Sequence, residues 1–88
     1  MQRPVIIVPA VLIPGNVTLT NIRDFLENGI YNEQGNEQDK EKLRNSSLQM
    51  IQVTHKIDNK KVTFDVYDSV ANFTETRWQR VVAVFVNG

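Results

Sequence analysis

Cysteine is absent from this chain of 88 residues, and histidine and tryptophan occur only once each. Without cysteine the chain can form no disulfide framework, no thiol nucleophile and no cysteine-based metal site. Its ten basic and ten acidic residues cancel, so it lacks the overall positive charge with which many proteins hold nucleic acids. No apolar run approaches the ~20 residues that a membrane helix needs. We therefore expect an intracellular protein of one small domain, with no membrane segment and no cofactor.

The first part of the chain predicts a strand followed by a helix. Val5-Ile6-Ile7-Val8 is a β-branched run between two prolines, which lack the N–H that a strand interior needs, and it predicts a short buried strand. Spacings of three and four residues then predict an amphipathic helix, whose apolar stripe comprises Leu19, Ile22, Phe25, Leu26 and Ile30. Thr18 or Thr20 is expected to cap the start of this helix, and Gly29 to end it.

Residues 32–47 differ in composition from the rest of the chain. They are almost all polar, with Leu43 as the only large apolar side chain after Asn32. Such a segment buries too little surface to offset the entropy of ordering its backbone. We predict a mobile insert, in which the charged pairs Glu37–Lys40 and Glu41–Arg44 allow some transient helix.

The second half of the chain predicts a hairpin and a closing strand. Alternating apolar residues in Leu48–Ile57 and Val62–Asp68 predict two antiparallel strands around a turn at residues 58–61. Between the hairpin and the closing strand, Thr74 can begin one helical turn. The six consecutive apolar residues Val81–Val86 predict a strand that is buried on both faces, as in the centre of a parallel sheet.

The order of these elements predicts the fold class. Parallel strands are joined by helical crossovers, so a strand, a helix, a hairpin and a further strand predict an α/β fold. This arrangement is similar to the first half of a Ras-like small-GTPase fold. We therefore expect residues 1–88 to form a partial, truncated Ras-like domain. Its mixed sheet, β-α-β-β-β, should be mostly parallel with one antiparallel hairpin at the edge.

The residues after the first strand do not support the phosphate chemistry of that fold. A phosphate loop needs glycines, whose backbone N–H groups surround the phosphate, together with a lysine and a hydroxyl that binds Mg²⁺. Residues 9–18 contain one glycine and no lysine. Asp68 ends the hairpin where such folds often place a magnesium-ordering carboxylate, but no glycine follows it closely. A divergent small-GTPase-like, nucleotide-binding phosphohydrolase that uses Asp68 is therefore the alternative to the main prediction.

The single histidine and a group of lysines have simple structural interpretations. His55 alternates along a predicted strand with no nucleophile beside it, so we predict no catalytic role. Lys56, Lys60 and Lys61 lie beside the hairpin turn. Lysines at such positions commonly prevent sheets from pairing edge to edge, so we do not expect direct nucleic-acid binding.

Trp78 precedes the closing strand and lies between the basic residues Arg77 and Arg80. A tryptophan at this position commonly packs over the edge of a core. The three side chains can also form an aromatic and basic rim of the kind that binds a protein partner. Both interpretations are open at the level of the sequence, and Arg77, Trp78 and Arg80 are the candidate partner-binding residues.

Both ends of the chain resemble the C-terminal domain of the parafibromin family, a subunit of the RNA polymerase II-associated factor (Paf) elongation complex. The closing segment Trp78–Gly88 is similar to the family motif W-D-R-V-V-A-V-F-x-x-G, with Gln79 in place of the aspartate. The opening segment Pro4–Ala10 resembles P-I-I-I-I-P-A. Asn21–Leu26 resembles the family's first helix, N-x-K-D-L-L.

This resemblance implies a Ras-like domain that binds no nucleotide and acts in the nucleus as a non-catalytic protein-interaction module. Its expected partners are other Paf complex subunits, RNA polymerase II with elongation factors, and chromatin; no small-molecule substrate is expected. The family's domain continues beyond the position of Gly88 with a W-Q-F segment and further strands and helices. Residues 1–88 are thus expected to match about its first half.

Overall fold

The strands follow one another as predicted, and the helices are more numerous. The computed structural model describes residues 3–10, 15–46 and 49–86. Leu48, with which the predicted hairpin begins, and Gly88, which ends the closing motif, lie outside the described residues. The elements are β1 (Val5–Ile7), α1 (Ile22–Asn28), α2 (Glu37–Arg44), β2 (Met50–Ile57), β3 (Lys60–Tyr67), α3 (Glu75–Gln79) and β4 (Val81–Val84).

The strands form one four-stranded sheet, in the order β2-β3-β1-β4. β1 pairs in parallel with β3 on one side and with β4 on the other, whereas β2 and β3 form an antiparallel hairpin. The predicted α/β class, with a mixed, mostly parallel sheet and one antiparallel hairpin at its edge, is confirmed. This arrangement is compatible with a Ras-like fold.

The hairpin turn is shorter than predicted. β2 ends at Ile57 and β3 begins at Lys60, which leaves Asp58 and Asn59 as the turn residues. Their φ values are 49° and 65°, so both have left-handed backbone angles. Such a two-residue turn matches the twist of the flanking strands, and aspartate and asparagine tolerate it better than most residues. The resulting register places Ile51 and Val53 of β2 opposite Val66 and Phe64 of β3.

α1 ends where the sequence predicts but begins differently. Gly29 has a φ of 69°, and its backbone N–H donates to the carbonyl of Asp24, which forms a left-handed C-cap. The predicted threonine cap is wrong, because the N-cap is Asn21 and no side chain caps the helix. Asn21 Oδ1 accepts from the backbone N–H of Thr18, and its Nδ2 donates to the carbonyl of Asn16. The asparagine therefore secures the loop before α1.

One face of the sheet packs against α1 and α2 and carries the core. The buried apolar cluster comprises Ile6, Val8, Leu19, Ile22, Leu43, Ile51, Val53, Phe64 and Val66. Because side chains alternate along a strand, Tyr67 faces away from its neighbour Val66 and from this core. Tyr67 contacts Arg77 of α3, so α3 covers the second face of the sheet.

The closing strand is not buried on both faces, and this part of the sequence prediction is wrong. β4 is four residues long and lies at the edge of the sheet, with β1 as its one neighbour among the described residues. Val82, Val84 and Val86 are 62%, 57% and 76% exposed. An apolar run indicates that both faces of a strand favour burial. It does not indicate which residues pack against those faces.

The polar segment 32–47 contains a packed helix that the sequence analysis did not expect. α2 is capped by Asn36, whose side chain accepts from the backbone N–H of Asp39. The buried carboxylate of Asp39 pairs with Arg23 of α1 at 2.9 Å, and Leu43 joins the core. Two inward-facing side chains thus attach a helix whose other residues are exposed or partly exposed. The expectation of an unpacked segment is corrected for α2, while the mobility of the segment in solution stays a prediction.

Gly35 brings α2 close to the loop before α1. Its φ is 81°, and a Cβ at this position would lie 2.8 Å from Oγ1 and 3.0 Å from the carbonyl oxygen of Thr20. The backbone N–H of Asn36 donates to that same carbonyl at 2.6 Å, so the two segments cannot separate without losing this bond. We expect Gly35→Ala to lower the free energy of unfolding by about 2–3 kcal/mol, because the clash adds to ~1–2 kcal/mol of left-handed strain.

Gly29→Ala is the matched control for this prediction. Gly29 is also left-handed, with a φ of 69°, but nothing lies within 4 Å of the added Cβ. This variant should lose only about 1 kcal/mol. Urea denaturation followed by circular dichroism measures both losses. Equal losses in the free energy of unfolding would show that the clash of the added Cβ with Thr20 does not destabilise the Gly35→Ala variant.

Candidate functional site

The three candidate partner-binding residues lie in α3 and directly after it. The Oγ1 of Thr74 accepts from the backbone N–H of Arg77 at 3.1 Å, so the predicted helical turn begun by Thr74 is confirmed. Arg77 and Trp78 belong to α3, and Arg80 is its C-cap. The structure gives each of these three side chains different surroundings.

The guanidinium of Arg77 lies on an aromatic cluster on the second face of the sheet. Its Cζ is 5.2 Å from the ring centroid of Tyr67 and 5.4 Å from that of Phe73. The ring of Phe73 packs edge to face with Tyr67 at 5.0 Å and with Trp78 at 5.2 Å. Each such contact contributes about 0.5–1 kcal/mol. Arg77 therefore helps to hold α3 on the sheet.

Trp78, just before β4, and the valines of and after that strand are exposed apolar side chains. It is 49% exposed, although its ring packs within the aromatic cluster. Val82 and Val84 alternate with Ala83, which packs against the core, so both valines face the side of the sheet that carries α3. We call Trp78, Val82, Val84 and Val86 the β4 surface. Large apolar side chains exposed together at a sheet edge are typical of a surface that another segment covers.

Arg80 is less exposed than Trp78 and belongs to an ion cluster around Asp65. Its side chain is 21% exposed, and its Nη2 lies 3.4 Å from Asp65 Oδ2. Asp65 is 4% exposed, and its Oδ1 accepts from Arg3 Nε at 2.8 Å and from Gln52 Nε2 at 3.3 Å. We call these four residues the Asp65 cluster. The cluster gives Arg80 a structural contact, while a role of Arg80 in partner binding stays a prediction.

A cavity of about 360 Å³ lies at the carboxyl ends of β1 and β3. Pro9 and Ala10, which follow β1, line it together with Asp68, which follows β3. The chain leaves β1 toward α1 on the core face of the sheet, and it leaves β3 toward α3 on the second face. Adjacent parallel strands whose connections diverge in this way leave a crevice, which is a common location for ligands. We call this cavity the β1/β3 pocket.

The walls of the β1/β3 pocket combine apolar surface with charges of both signs. Leu19 and Leu43 contribute apolar surface, and Asp68 contributes a carboxyl group. Lys40 and Arg44 are four residues apart on α2, so they lie on one face of the helix and bring positive charge to the pocket. No glycine lines this pocket among the residues that the structure describes.

The carboxyl group of Asp68 has few partners. Burial raises the pKa of Asp68 above its ordinary value, and a hydrogen bond from its own backbone N–H offsets part of this effect. No side chain of the described ranges pairs with it. The residue lies where the alternative prediction of a phosphohydrolase needs a carboxylate, but only its location supports that chemistry.

His55 contacts the backbone of α1, and two of the lysines face each other across the hairpin. His55 Nδ1 lies 2.7 Å from the carbonyl oxygen of Leu26, which joins β2 to α1. Lys56 and Lys61 are exposed and directly opposite each other in the hairpin. Like charges in this position repel. Their role in preventing edge-to-edge pairing stays a prediction.

Residues 3–10, 15–46 and 49–86 form neither a metal site nor a membrane-spanning helix. Within these ranges, no three His, Asp or Glu side chains are grouped so that they could hold a metal ion. No helix of the same ranges has the length and apolar character needed to cross a bilayer. The β4 surface and the β1/β3 pocket are therefore the two regions on which a functional interpretation rests.

Sequence reasoning missed the charged groups of the pocket and the Asp65 cluster. It treated residues 32–47 as solvated, although Lys40 and Arg44 lie on either side of Leu43 at helical spacing. At that spacing two cations lie beside an inward-facing leucine on one face of a helix, and this pattern was the signal for the pocket wall in the sequence. Asp65 stands between Phe64 and Val66, and a lone carboxylate in an apolar strand indicates a buried ion pair.

The fold and the first connection together define a class of protein, a mixed α/β domain compatible with a Ras-like fold whose first strand is not followed by a glycine-rich phosphate loop. Within that class, the family model described as RNA pol II accessory factor, Cdc73 family, C-terminal, matches residues 1–88. The chain belongs to this family, and the resemblance to the parafibromin C-terminal domain is confirmed. It is thus related to transcription by RNA polymerase II and to the Paf complex. Among curated proteins none matches the chain.

Proposed function

We propose that this chain is a non-catalytic protein-interaction module, which acts in the nucleus and helps the Paf complex associate with RNA polymerase II and chromatin. Membership of a family of RNA polymerase II accessory factors supports a role in this machinery. The observation that carries the proposal is the β4 surface, whose four large apolar side chains are between 49% and 76% exposed. Burial of that surface against a partner is strongly favourable, at ~25 cal/mol per Å² of apolar area.

The proposed contact is a strand that the partner adds to the sheet. No described residue pairs with the outer edge of β4, so backbone N–H and C=O groups at that edge are available. A partner segment that pairs there places alternate side chains beside Val82 and Val84 on the same face of the sheet, and Trp78 lies three residues before β4 in the chain. The proposed occupant is therefore an extended, largely apolar segment of another Paf complex subunit. Arg77 supports this surface by holding α3, which carries Trp78.

Partner binding is expected to depend on Trp78 and on β4. Trp78→Ala removes a large half-exposed ring, and truncation of an aromatic residue that anchors an interface commonly raises Kd by ~30-fold. Val84→Asp places a charge in the apolar contact and should weaken binding at least as much. Biolayer interferometry measures Kd with this chain immobilised. The analyte is a Paf complex that is reconstituted without the subunit to which the chain belongs.

Ile57→Asp is the control variant, because Ile57 is 43% exposed and ends β2 at the opposite edge of the sheet. It should leave Kd unchanged, and urea denaturation of each variant separates lost folding from lost binding. Two results would contradict the proposal. The first is wild-type affinity in both Trp78→Ala and Val84→Asp. The second is protection of the β4 amides from hydrogen exchange in a longer polypeptide before any partner is added.

The alternative function is that of a divergent small-GTPase-like phosphohydrolase that uses Asp68. The one observation in its favour is that Asp68 lines a pocket at the carboxyl ends of parallel strands. Titration with a fluorescent guanine or adenine nucleotide in the presence of Mg²⁺ distinguishes the two functions. Micromolar affinity that is lost in Asp68→Asn would overturn the non-catalytic proposal.

A further inference from the structure

The β1/β3 pocket contains charged groups that the fold itself does not use. The guanidinium of Arg44 has no partner among the described residues, and Lys40 makes only a 3.4 Å contact with Glu37, whose side chain is 84% exposed. Asp68 also lines the pocket, and no described side chain pairs with its carboxyl group. Charged groups that line a cavity without partners are available to a ligand.

The balance of charge in the β1/β3 pocket favours a ligand that carries both signs. Lys40 and Arg44 bring two positive charges to the lining of the pocket, and Asp68 brings one negative charge, so a ligand meets groups of both signs there. A phosphate dianion would be repelled by Asp68 and would find no backbone cradle of glycines. A ligand with one anionic and one cationic group matches the arrangement, because each group meets the opposite charge.

The volume and the apolar lining of the pocket determine the size and the uncharged part of the ligand. A cavity of about 360 Å³ is at the small end of the usual range of ligand pockets, so it accommodates a small molecule rather than a folded partner. Leu19, Leu43 and Pro9 contribute apolar surface, which favours an apolar body between the two charged groups.

We propose that the β1/β3 pocket binds a small zwitterionic molecule, whose carboxylate pairs with Arg44 and Lys40 and whose ammonium group pairs with Asp68. This site is separate from the β4 surface and does not depend on the function proposed for that surface. Partial burial of Asp68 strengthens its contact with a bound cation, because fewer water molecules compete for the carboxylate.

Titration of the ¹⁵N-labelled chain with 4-aminobutyrate, 6-aminohexanoate and 8-aminooctanoate tests the proposal. We expect saturable amide shifts at Thr18, Thr20, Lys40, Arg44 and Asp68, with a Kd of ~1 mM for the best of the three. The length that binds best reports the separation of the charged walls. Hexanoate and hexylamine each lack one charged group and should bind roughly tenfold more weakly than 6-aminohexanoate.

Two variants and one control test which side chains bind the charged groups of the ligand. Arg44→Gln and Asp68→Asn should each raise Kd roughly tenfold for the best amino acid probe. Lys42→Gln removes a charge from the exposed side of the same helix and should change nothing. The proposal is overturned if none of the three amino acids gives saturable shifts, if hexylamine or inorganic phosphate binds more tightly than they do, or if Lys42→Gln weakens binding as much as Arg44→Gln. Loss of these shifts would leave the binding test on the β4 surface unaffected, so the two ideas fail separately.

Discussion

Ile22→Ala is expected to lower the free energy of unfolding by about 3 kcal/mol. Ile22 is 0% exposed and lies at the start of α1, within the core cluster on the sheet. The substitution removes apolar surface and leaves a cavity that the hydrogen-bonded sheet behind it cannot fill. A chain of 88 residues has a total stability of ~4–13 kcal/mol, so the loss is a large part of it.

Thermal and urea denaturation check this prediction. A loss of about 3 kcal/mol corresponds to a fall in Tm of roughly 12–24 °C for a domain of this size. Ile30→Ala is the matched control, since it makes the same change at a position that is 59% exposed just after α1. It should change the free energy of unfolding by less than ~0.5 kcal/mol. Similar losses in both variants would contradict the position of Ile22 in the core.

The fold class was predictable because local patterns in this chain agree with its packing. The β-branched run of β1, the helical spacing before Gly29 and the alternation in β2 and β3 each depend on neighbouring residues alone. Gly29 ends α1 because only glycine adopts the left-handed C-cap without strain. The parallel pairing of β1 with β3 agrees with a helical crossover, since α1 and α2 lie between β1 and the hairpin in the chain.

The errors arise where burial depends on contacts that are distant in sequence. α2 is polar on most of its surface, and its attachment rests on Asp39 meeting Arg23 of α1 and on Leu43 meeting the core. Neither contact can be predicted from the composition of residues 32–47 alone. The β4 prediction failed for a related reason, because an apolar strand needs neighbours that its own sequence cannot specify. The β1/β3 pocket was missed with α2, because that helix supplies its positive charges.

The candidate partner-binding residues were identified by position, and the structure separates them by environment. Trp78 is half exposed, whereas Arg80 contacts the buried carboxylate of Asp65. A substitution of Arg80 is therefore expected to act mainly on stability, and a substitution of Trp78 mainly on partner binding. Substitutions in the Asp65 cluster separate an effect on stability from an effect on partner binding.

Asp65→Ala is expected to lower the free energy of unfolding by about 2–3 kcal/mol. Removing one partner of a fully buried ion pair costs ~3–5 kcal/mol, because the remaining charge is left without compensation. The cost is reduced here because the side chain of Arg3 is 52% exposed and can return to water. Arg80, with 21% of its side chain exposed, has less access to water and carries most of the loss.

The Asp65 cluster also predicts a ranking among variants. Arg80→Gln should cost about 1–2 kcal/mol, and Arg3→Gln less than ~1 kcal/mol, because a more exposed ion pair contributes less. Glu33→Gln, which removes an exposed carboxylate, is the control and should change little. Urea denaturation gives the four free energies of unfolding, and Kd for the Paf complex is measured on the same samples. If Arg80→Gln left stability unchanged while abolishing partner binding, the guanidinium would act at the interface and the structural interpretation of the cluster would be wrong.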